Sequence, residues 1–535
     1  MLTARPSLHT TEQTNTTQTP AESYSWRFGD LPAAELLPKL QQHLITQDPN
    51  ANWQVIWLQN DGRPVIGLLP KTAWRVYVHD TNEQAVRYQV IRTNRDDLHK
   101  RHQLTTDIMS YSSWQEALIA YSRSYDQDDS RPSALKTEDN NDSQPSYHHG
   151  LMGFIGYDMA AHELSPAAKI EYAAQPCAVL GHYDIYLTPS NKTMGWTLNT
   201  IDPNPDSEAS LAALVSYLET LDNDLSNPKN KADAQPAPLL LKARWHQSDY
   251  QQAFAQTQCY LQQGDCYQIN LTQAWQGQLN NKSSCNDHAL IDHLPALHQS
   301  TQAPFAGYLG VNHAQGSSLS FELLSCSPEL FFTFLKKGSN VHHIRTKPIK
   351  GTRPRGSDPE QDFALRQQLI DSDKDQAENV MIVDLLRNDL GKYAKTGSVK
   401  VPQLFAIESF SNVHHMVSTI TAELKSEAHP LTVLFGSLPA GSITGTPKKR
   451  AVEIISELEA GARGAYCGTM GYMNFDGSGQ WNVLIRSLQA NHSADDDNQV
   501  RLWAGGGITV ASDCEDEYQE CLDKVGNLLA VLKQE

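Results

Sequence analysis

Cysteine is sparse and unpaired in this chain. Eight residues in 535 (Cys177, Cys259, Cys266, Cys285, Cys326, Cys467, Cys514 and Cys521) are scattered with no C-x-x-C spacing. That excludes a disulfide framework or a zinc ribbon, and fits thiols used as small core residues in a reduced compartment. Positive charge is also in deficit: 43 Lys plus Arg stand against 61 acidic residues, a formal net charge of −18. A surface for nucleic acid or for an anionic membrane is therefore not expected. No run approaches the roughly 18 apolar residues of a membrane span, and the first residues, MLTARPSLHTTEQTNTTQTPAES, lack the apolar segment of a secretory signal. Repeats are absent as well. These absences leave a cytoplasmic protein whose 39 % hydrophobic residues suffice for a large core.

Composition also suggests the organisation. Residues 1–23 are Thr/Gln-rich and read as a disordered tail, and polar runs near 126–147 and 202–238 read as loops, the second holding one short helical pattern, LAALVSYLETL. Between them lie short β-like runs: WQVIWLQ, WRVYVH, RYQVI, GLMGFIGYDM, GHYDIYL and MGWTLN. From about Leu239 amphipathic helices alternate with strands. The expected division is an N-terminal region over 24–238 and a C-terminal region over 239–535, with the chemistry in the second.

Four segments of that second region carry chemically suggestive residues. In SFELLSCSPELFFTFLKKGSNVHHIRTKPIKGTRPRG two apolar runs flank a polar turn, a hairpin signature. A turn centred on Gly338-Ser339 sets Glu329 opposite Pro348, with Lys350 its diagonal neighbour, so an acid and an amine look into one space. Such a pair can exchange protons or supply a nucleophile, although a cross-strand ion pair is the plainer reading. Glu378 lies near the start of a helix over DSDKDQAENVMIVDLLRNDLGKYA, on which Val380, Val383 and Leu390 fall near one stripe, and Glu517, Glu520 and Lys524 share one face of the last helix. Carboxylates from separate helices suit a hard divalent cation, against the alternative of a solvated helix face. In GSITGTPKKRAVEII, Thr446 is a natural N-cap and Pro447 a first helical residue; Gly441, Gly445, Lys448, Lys449 and Arg450 then suggest an anion site that is not a Walker loop. Finally GARGAYCGTMGYMNF, QWNVLIRSLQ and RLWAGGGIT read as three antiparallel strands that bring Arg486 beside Ala504-Gly505, a second carboxylate clamp. Together these point to a small dianionic substrate.

At this point the sequence resembles the chorismate-binding enzymes: the anthranilate, aminodeoxychorismate, isochorismate and salicylate synthases. The carrying segments are GDCYQINLTQ, SCSPELFF, KPIKGTRPRG, ENVMIVDLLRNDLG, SVKVPQLFAIESFSNVHHMVST, GSITGTPKKRAVEII, GAYCGTMGY, LIRSL, WAGGGIT and DEYQECLDK, in family order over almost all of 240–532. Gln268 stands where the water-adding members carry a lysine. Lys350 stands where anthranilate synthases typically have alanine, a feature similar to the aminodeoxychorismate synthase branch, and no Leu-Leu-Glu-Ser motif occurs near the N-terminus.

The resemblance implies an α+β fold of two large, mostly antiparallel sheets packed as a sandwich with helices outside. It implies Mg²⁺ held by Glu378 and Glu520, with Glu517 acting through water, and chorismate bound by Gly351, Thr352, Thr444, Tyr466, Arg486, Gly505, Gly507 and Lys524, with His415 near the ring carboxylate or the leaving group. Glu329 would protonate the departing C4 hydroxyl, and Lys350 would attack C2 as a free amine before ammonia adds at C4. That is a transaminase-class reaction toward 4-aminobenzoate and folate. Ammonia would come from a separate glutamine amidotransferase subunit, because no glutaminase motif is present in this chain. The competing expectations are an anthranilate synthase large subunit and a non-catalytic chorismate or tryptophan sensor.

Overall fold

The computed structural model describes residues 24–47, 54–80, 86–95, 103–126, 144–190, 195–201, 205–226, 236–279, 289–312, 319–338, 341–410, 413–459, 461–492 and 498–534. The expected tail over 1–23 lies outside them, as do 127–143, 202–204 and 227–235 of the two expected loops. The short helical pattern extends into a helix over Pro205–Ser226.

The alternating and fully apolar runs form two 12-stranded sheets, antiparallel throughout among the described residues. In the first, Gln54–Leu58 lies beside Gly307–Asn312, and the sheet continues through Leu319–Ser325, Ser487–Asn491 and Gln499–Ile508 to Gln268–Gln278. In the second, Gly150–Ile155 lies beside Thr469–Asn474, and the sheet continues through Gly479–Asn482 and Leu330–Lys337 to Val341–Lys347 and Val413–Glu423. Each sheet is therefore drawn from both sides of residue 238 and sewn by backbone hydrogen bonds at one seam, Val55↔Gly310 in the first and Phe154↔Met470 in the second.

The facing surfaces bury Ile56, Met152, Phe154, Val179, Leu309, Val311, Phe321 and Met470 as one cluster, the interior of a sandwich. Because antiparallel strands alternate faces, Val55 and Trp57 point the other way, under the helices Ala33–Gln47, Gln247–Gln262 and Cys514–Leu532. The outer face of the second sheet is covered by Tyr111–Asp126, Asp373–Gly391 and Pro430–Ser437. The expected α+β sandwich with outer helices is thus the observed architecture.

Three local expectations differ. QWNVLIRSLQ is not one strand: Gly479–Asn482 belongs to the second sheet and Ser487–Asn491 to the first, and the chain crosses between layers at Val483–Arg486. On the helix Asp373–Gly391, Val383 and Leu390 of the expected stripe are buried together with Asn379, Ile382 and Leu386, but Val380 is exposed, because the packed face is centred to one side of it. Thr446 does not cap a helix. It pairs with Gln268 as a strand residue, and the helix Lys448–Leu458 starts after Pro447 without a side-chain cap.

Since both sheets cross residue 238, a fragment over 239–535 would expose two long unpaired strand edges. It is expected to show no cooperative thermal unfolding by near-ultraviolet circular dichroism, whereas residues 24–535 unfold in one transition; a sharp transition in the fragment would contradict this.

Candidate functional site

Pro348 has no N–H to give a ladder, and it separates Val341–Lys347 from Ile349–Pro354. Both segments nonetheless follow one register along Val413–Glu423, Thr346↔Ile420 and then Ile349↔Val417. A bulge follows between Ile349 and Thr352, with Gly351 at φ +84°, a conformation that suits glycine. Lys350 sits in this bulge, which sends its side chain inward. Its Nζ lies 3.8 Å from Glu378 Oε2. A methyl group added to Gly507 would come within 2.9 Å of that Nζ and 2.2 Å of Gln268 Nε2, so the bare glycine makes room for both. Gln268 is fully buried and neither polar atom of its amide has a partner among the described residues.

The acid expected beside Lys350 is present. Leu330 pairs with Lys347, which sets Glu329 opposite Pro348 as expected, although the pairing near the turn (Lys337↔Val341) is displaced by one residue and a bulge between Leu330 and Thr333 restores it. Burial pushes the Glu329 carboxyl up to about 7, against the Ser442 hydroxyl, the Lys350 charge, the Ile349 N–H and Lys524, all of which favour the carboxylate. Glu329 is thus a buried acid that holds its proton to near neutrality, while Lys350 forms its ion pair with Glu378.

Three glutamates from two helices face this space, and each is held by its own lysine. Glu378 pairs with Lys350, Glu517 with Lys374 at 3.0 Å and Glu520 with Lys524 at 2.5 Å. Burial raises the Glu378 carboxyl, Lys350 and Lys374 oppose that, and the charges of Glu517 and Glu520 add to it. Burial also acts to raise Glu520, but Lys524, Lys350 and Lys374 outweigh it and the net shift is downward. Lys524 Nζ also donates to the Gly505 carbonyl at 2.9 Å, and Glu517 accepts from the Ser512 hydroxyl at 2.7 Å. Among the described residues no group of three or more His, Cys, Asp or Glu is gathered closely enough to hold a metal. Mg²⁺ usually takes only one or two protein carboxylates with water and substrate oxygens, and Glu378 and Glu520, the second acting on the carboxyl of the first, suit that donor set.

The residues expected to bind anions are held by several different elements. Arg486 turns the corner between the sheets at φ +51°, and its guanidinium makes no ion pair among the described residues while acting on Glu329 and His415. His415 is buried, with Nδ1 2.8 Å from the Thr352 hydroxyl. Burial, then Arg486 and His414, lowers its imidazole to about 3, so it is neutral at physiological pH. Its neighbour His414 is a structural residue held by Ser409 and Asp362. Thr444 is fully buried and its carbonyl accepts from Asn270 N–H, whereas Tyr466 stacks on Trp503 with ring centroids 5.7 Å apart, under the Arg463 guanidinium.

One expectation fails here. Lys448 does not add charge to an anion site: it is buried against Asp389 at 2.6 Å and donates to the Ser437 carbonyl, and Arg450 pairs with Asp265 and Glu453. Sequence reasoning also missed Ser442, Lys374 and Ser512, which act on Glu329 and Glu517. Lys374 lies one helical turn before Glu378, and that i, i+4 spacing was a usable signal; nothing local points Ser442 or Ser512 inward.

The family model for chorismate binding enzymes matches residues 91–530 of this chain. The chain belongs to that family. Relatives named aminodeoxychorismate synthase component 1 from Salmonella typhimurium and from Escherichia coli K12 are each 37 % identical to it, over 72 % of this chain and 77 % or 78 % of theirs. The solved anthranilate synthase component I of Streptococcus pneumoniae shares the fold with a TM-score of 0.64 at 21 % identity, covering 87 % of this chain and 91 % of that one.

Two outcomes are expected. Gly507→Ala should displace the Lys350 and Gln268 side-chain ends and lower kcat on chorismate about 100-fold, with an unfolding penalty of about 1–3 kcal/mol; kcat within twofold of the parent would contradict the packing. Glu329 binds its proton more tightly folded than unfolded, so its contribution to stability falls as pH rises from roughly 4.3, the unfolded value, toward about 7. Glu329→Gln should therefore raise Tm relative to the parent at pH 8 and have little effect at pH 4, as measured by scanning calorimetry.

Proposed function

We propose that this chain is the chorismate-aminating component of an aminodeoxychorismate synthase, converting chorismate and ammonia to 4-amino-4-deoxychorismate on the route to 4-aminobenzoate. The relatives' names support this branch of the family. The observation that carries it is Lys350, an amine on a glycine-backed bulge, facing Glu378 and Gly507 in the same pocket as the buried acid Glu329.

The reaction replaces a poor leaving group. Lys350, as the free amine, forms a bond to C2; the ring double bonds shift; and the C4–O bond breaks as Glu329 delivers its proton, so the hydroxyl leaves as water. Ammonia then bonds to C4, the double bonds shift back and Lys350 is expelled from C2. Transaminase-class chemistry in this sense retains the enolpyruvyl ether, unlike anthranilate formation, which releases pyruvate. Arg486, unpaired among the described residues, clamps one carboxylate, with Thr444 and the backbone at Gly505 and Gly507 nearby. His415, neutral and oriented by Thr352, serves as a hydrogen-bonding group and not as an acid. Mg²⁺ at Glu378 and Glu520, with Glu517 through water, would supply positive charge for the ring carboxylate as the hydroxyl departs.

A separate glutaminase component would supply ammonia. Among the described residues no helix is long and apolar enough to cross a membrane, and we place the reaction in the cytoplasm.

Intact-mass measurement tests the assignment. With chorismate and Mg²⁺ but no ammonia, the parent should gain the mass of chorismate less one water, and Lys350→Ala should gain nothing. An adduct on both proteins, or anthranilate and pyruvate as the parent's products once an ammonium salt is added, would overturn it.

A further inference from the structure

The three glutamates are matched one to one by lysines, yet the three lysines are not equivalent. Lys350 is buried, its side chain 12 % exposed, and Lys524, at 35 %, is tied to the Gly505 carbonyl as well as to Glu520. Lys374 is 45 % exposed and pairs at 3.0 Å with Glu517, which is only 2 % exposed. It stands one turn before Glu378 on the helix Asp373–Gly391 and reaches across to the helix Cys514–Leu532. Glu517, Glu378 and Glu520 all act on its ammonium, so it lies within the field of the whole cluster.

We infer that Lys374 is a positioning residue that serves as the exchangeable counter-cation of this carboxylate cluster, seated on Glu517 until a divalent cation takes its place and swings it to solvent. The inference rests on the proposed Mg²⁺ site. The physical need is plain. A carboxylate as buried as Glu517, left with only the Ser512 hydroxyl, would be an uncompensated charge, and breaking a buried pair by removing one partner is strongly destabilising. A dication arriving while Lys374 stayed seated would meet three ammonium groups around three carboxylates. Lys374 is the most exposed of the three, and its flexible stem can carry the charge outward. Lys374 thereby keeps the two helices in register between metal-binding events, at the expense of metal affinity.

Calorimetric titration of the full chain with MgCl₂ and with MnCl₂ tests this without turnover, using the parent, Lys374→Met, Lys374→Arg and Glu520→Gln. If Lys374 is seated about nine-tenths of the time, its removal tightens apparent metal affinity about tenfold. Lys374→Met should thus bind metal about tenfold more tightly, while its Tm without metal falls and its Tm gain on metal saturation exceeds the parent's. Lys374→Arg keeps the charge and should bind metal no more tightly than the parent, which keeps the test usable should the methionine variant fail to fold. Unchanged or weaker metal binding in Lys374→Met, or tighter binding in Lys374→Arg, overturns the role given to Lys374. A parent that binds neither metal, or a Glu520→Gln variant that binds as well as the parent, instead overturns the metal site itself.

Discussion

Charge compensation in a confined space is the constraint on which the rest of this structure depends. Glu378, Glu517 and Glu520 are brought together from two helices, Asp373–Gly391 and Cys514–Leu532, and their lysines make that proximity tolerable. Isolated carboxylates at such a site would repel one another and lose hydration. The same balance sets the character of the pocket: three acids paired with lysines, an arginine unpaired among the described residues, and one buried acid that holds its proton. That last acid, Glu329, is the one whose burial keeps its proton to about pH 7.

The sandwich supplies the rigidity that this arrangement requires. Lys350 and Glu329 come from adjacent parts of the second sheet, whereas Gln268, Gly505 and Gly507 come from the first. Arg486 lies where the chain passes from one sheet to the other, and its left-handed backbone is the corner of that passage. Both sheets are continuous across residue 238, so the N-terminal strands, which contribute none of the residues assigned to the pocket, still fix the spacing of the layers that do.

Irregularities do most of the aiming. Pro348 and the bulge before Thr352 rotate Lys350 into the pocket, and the bulge between Leu330 and Thr333 brings Glu329 back into register after a one-residue displacement near the turn. Gly507 leaves a gap the width of a side chain, which the ends of Lys350 and Gln268 fill. Regular strands would present these groups at fixed two-residue intervals, and no such spacing places an amine, an acid and an amide about one point.

Much of this was legible beforehand. Strand and helix positions followed from periodicity, the pairing of Glu329 with Pro348 from a turn signature, and the family from motifs in fixed order, because each depends on neighbours within a few tens of residues. Periodicity alone misplaced Val380, made one strand of the run that crosses between sheets at Arg486, and left Lys448 on an anion it does not meet. Those failures share a cause. The inward face of a helix, the layer a strand joins and the partner of a buried charge are set by what packs against them from distant parts of the chain. The sequence by itself determined which acids, amines and glycines this protein possesses and in what local conformation. Tertiary structure alone decided that Lys374 answers Glu517, that Ser442 answers Glu329, and that Glu329 is buried deeply enough to keep its proton, because desolvation and long-range charge exist only once the layers have closed.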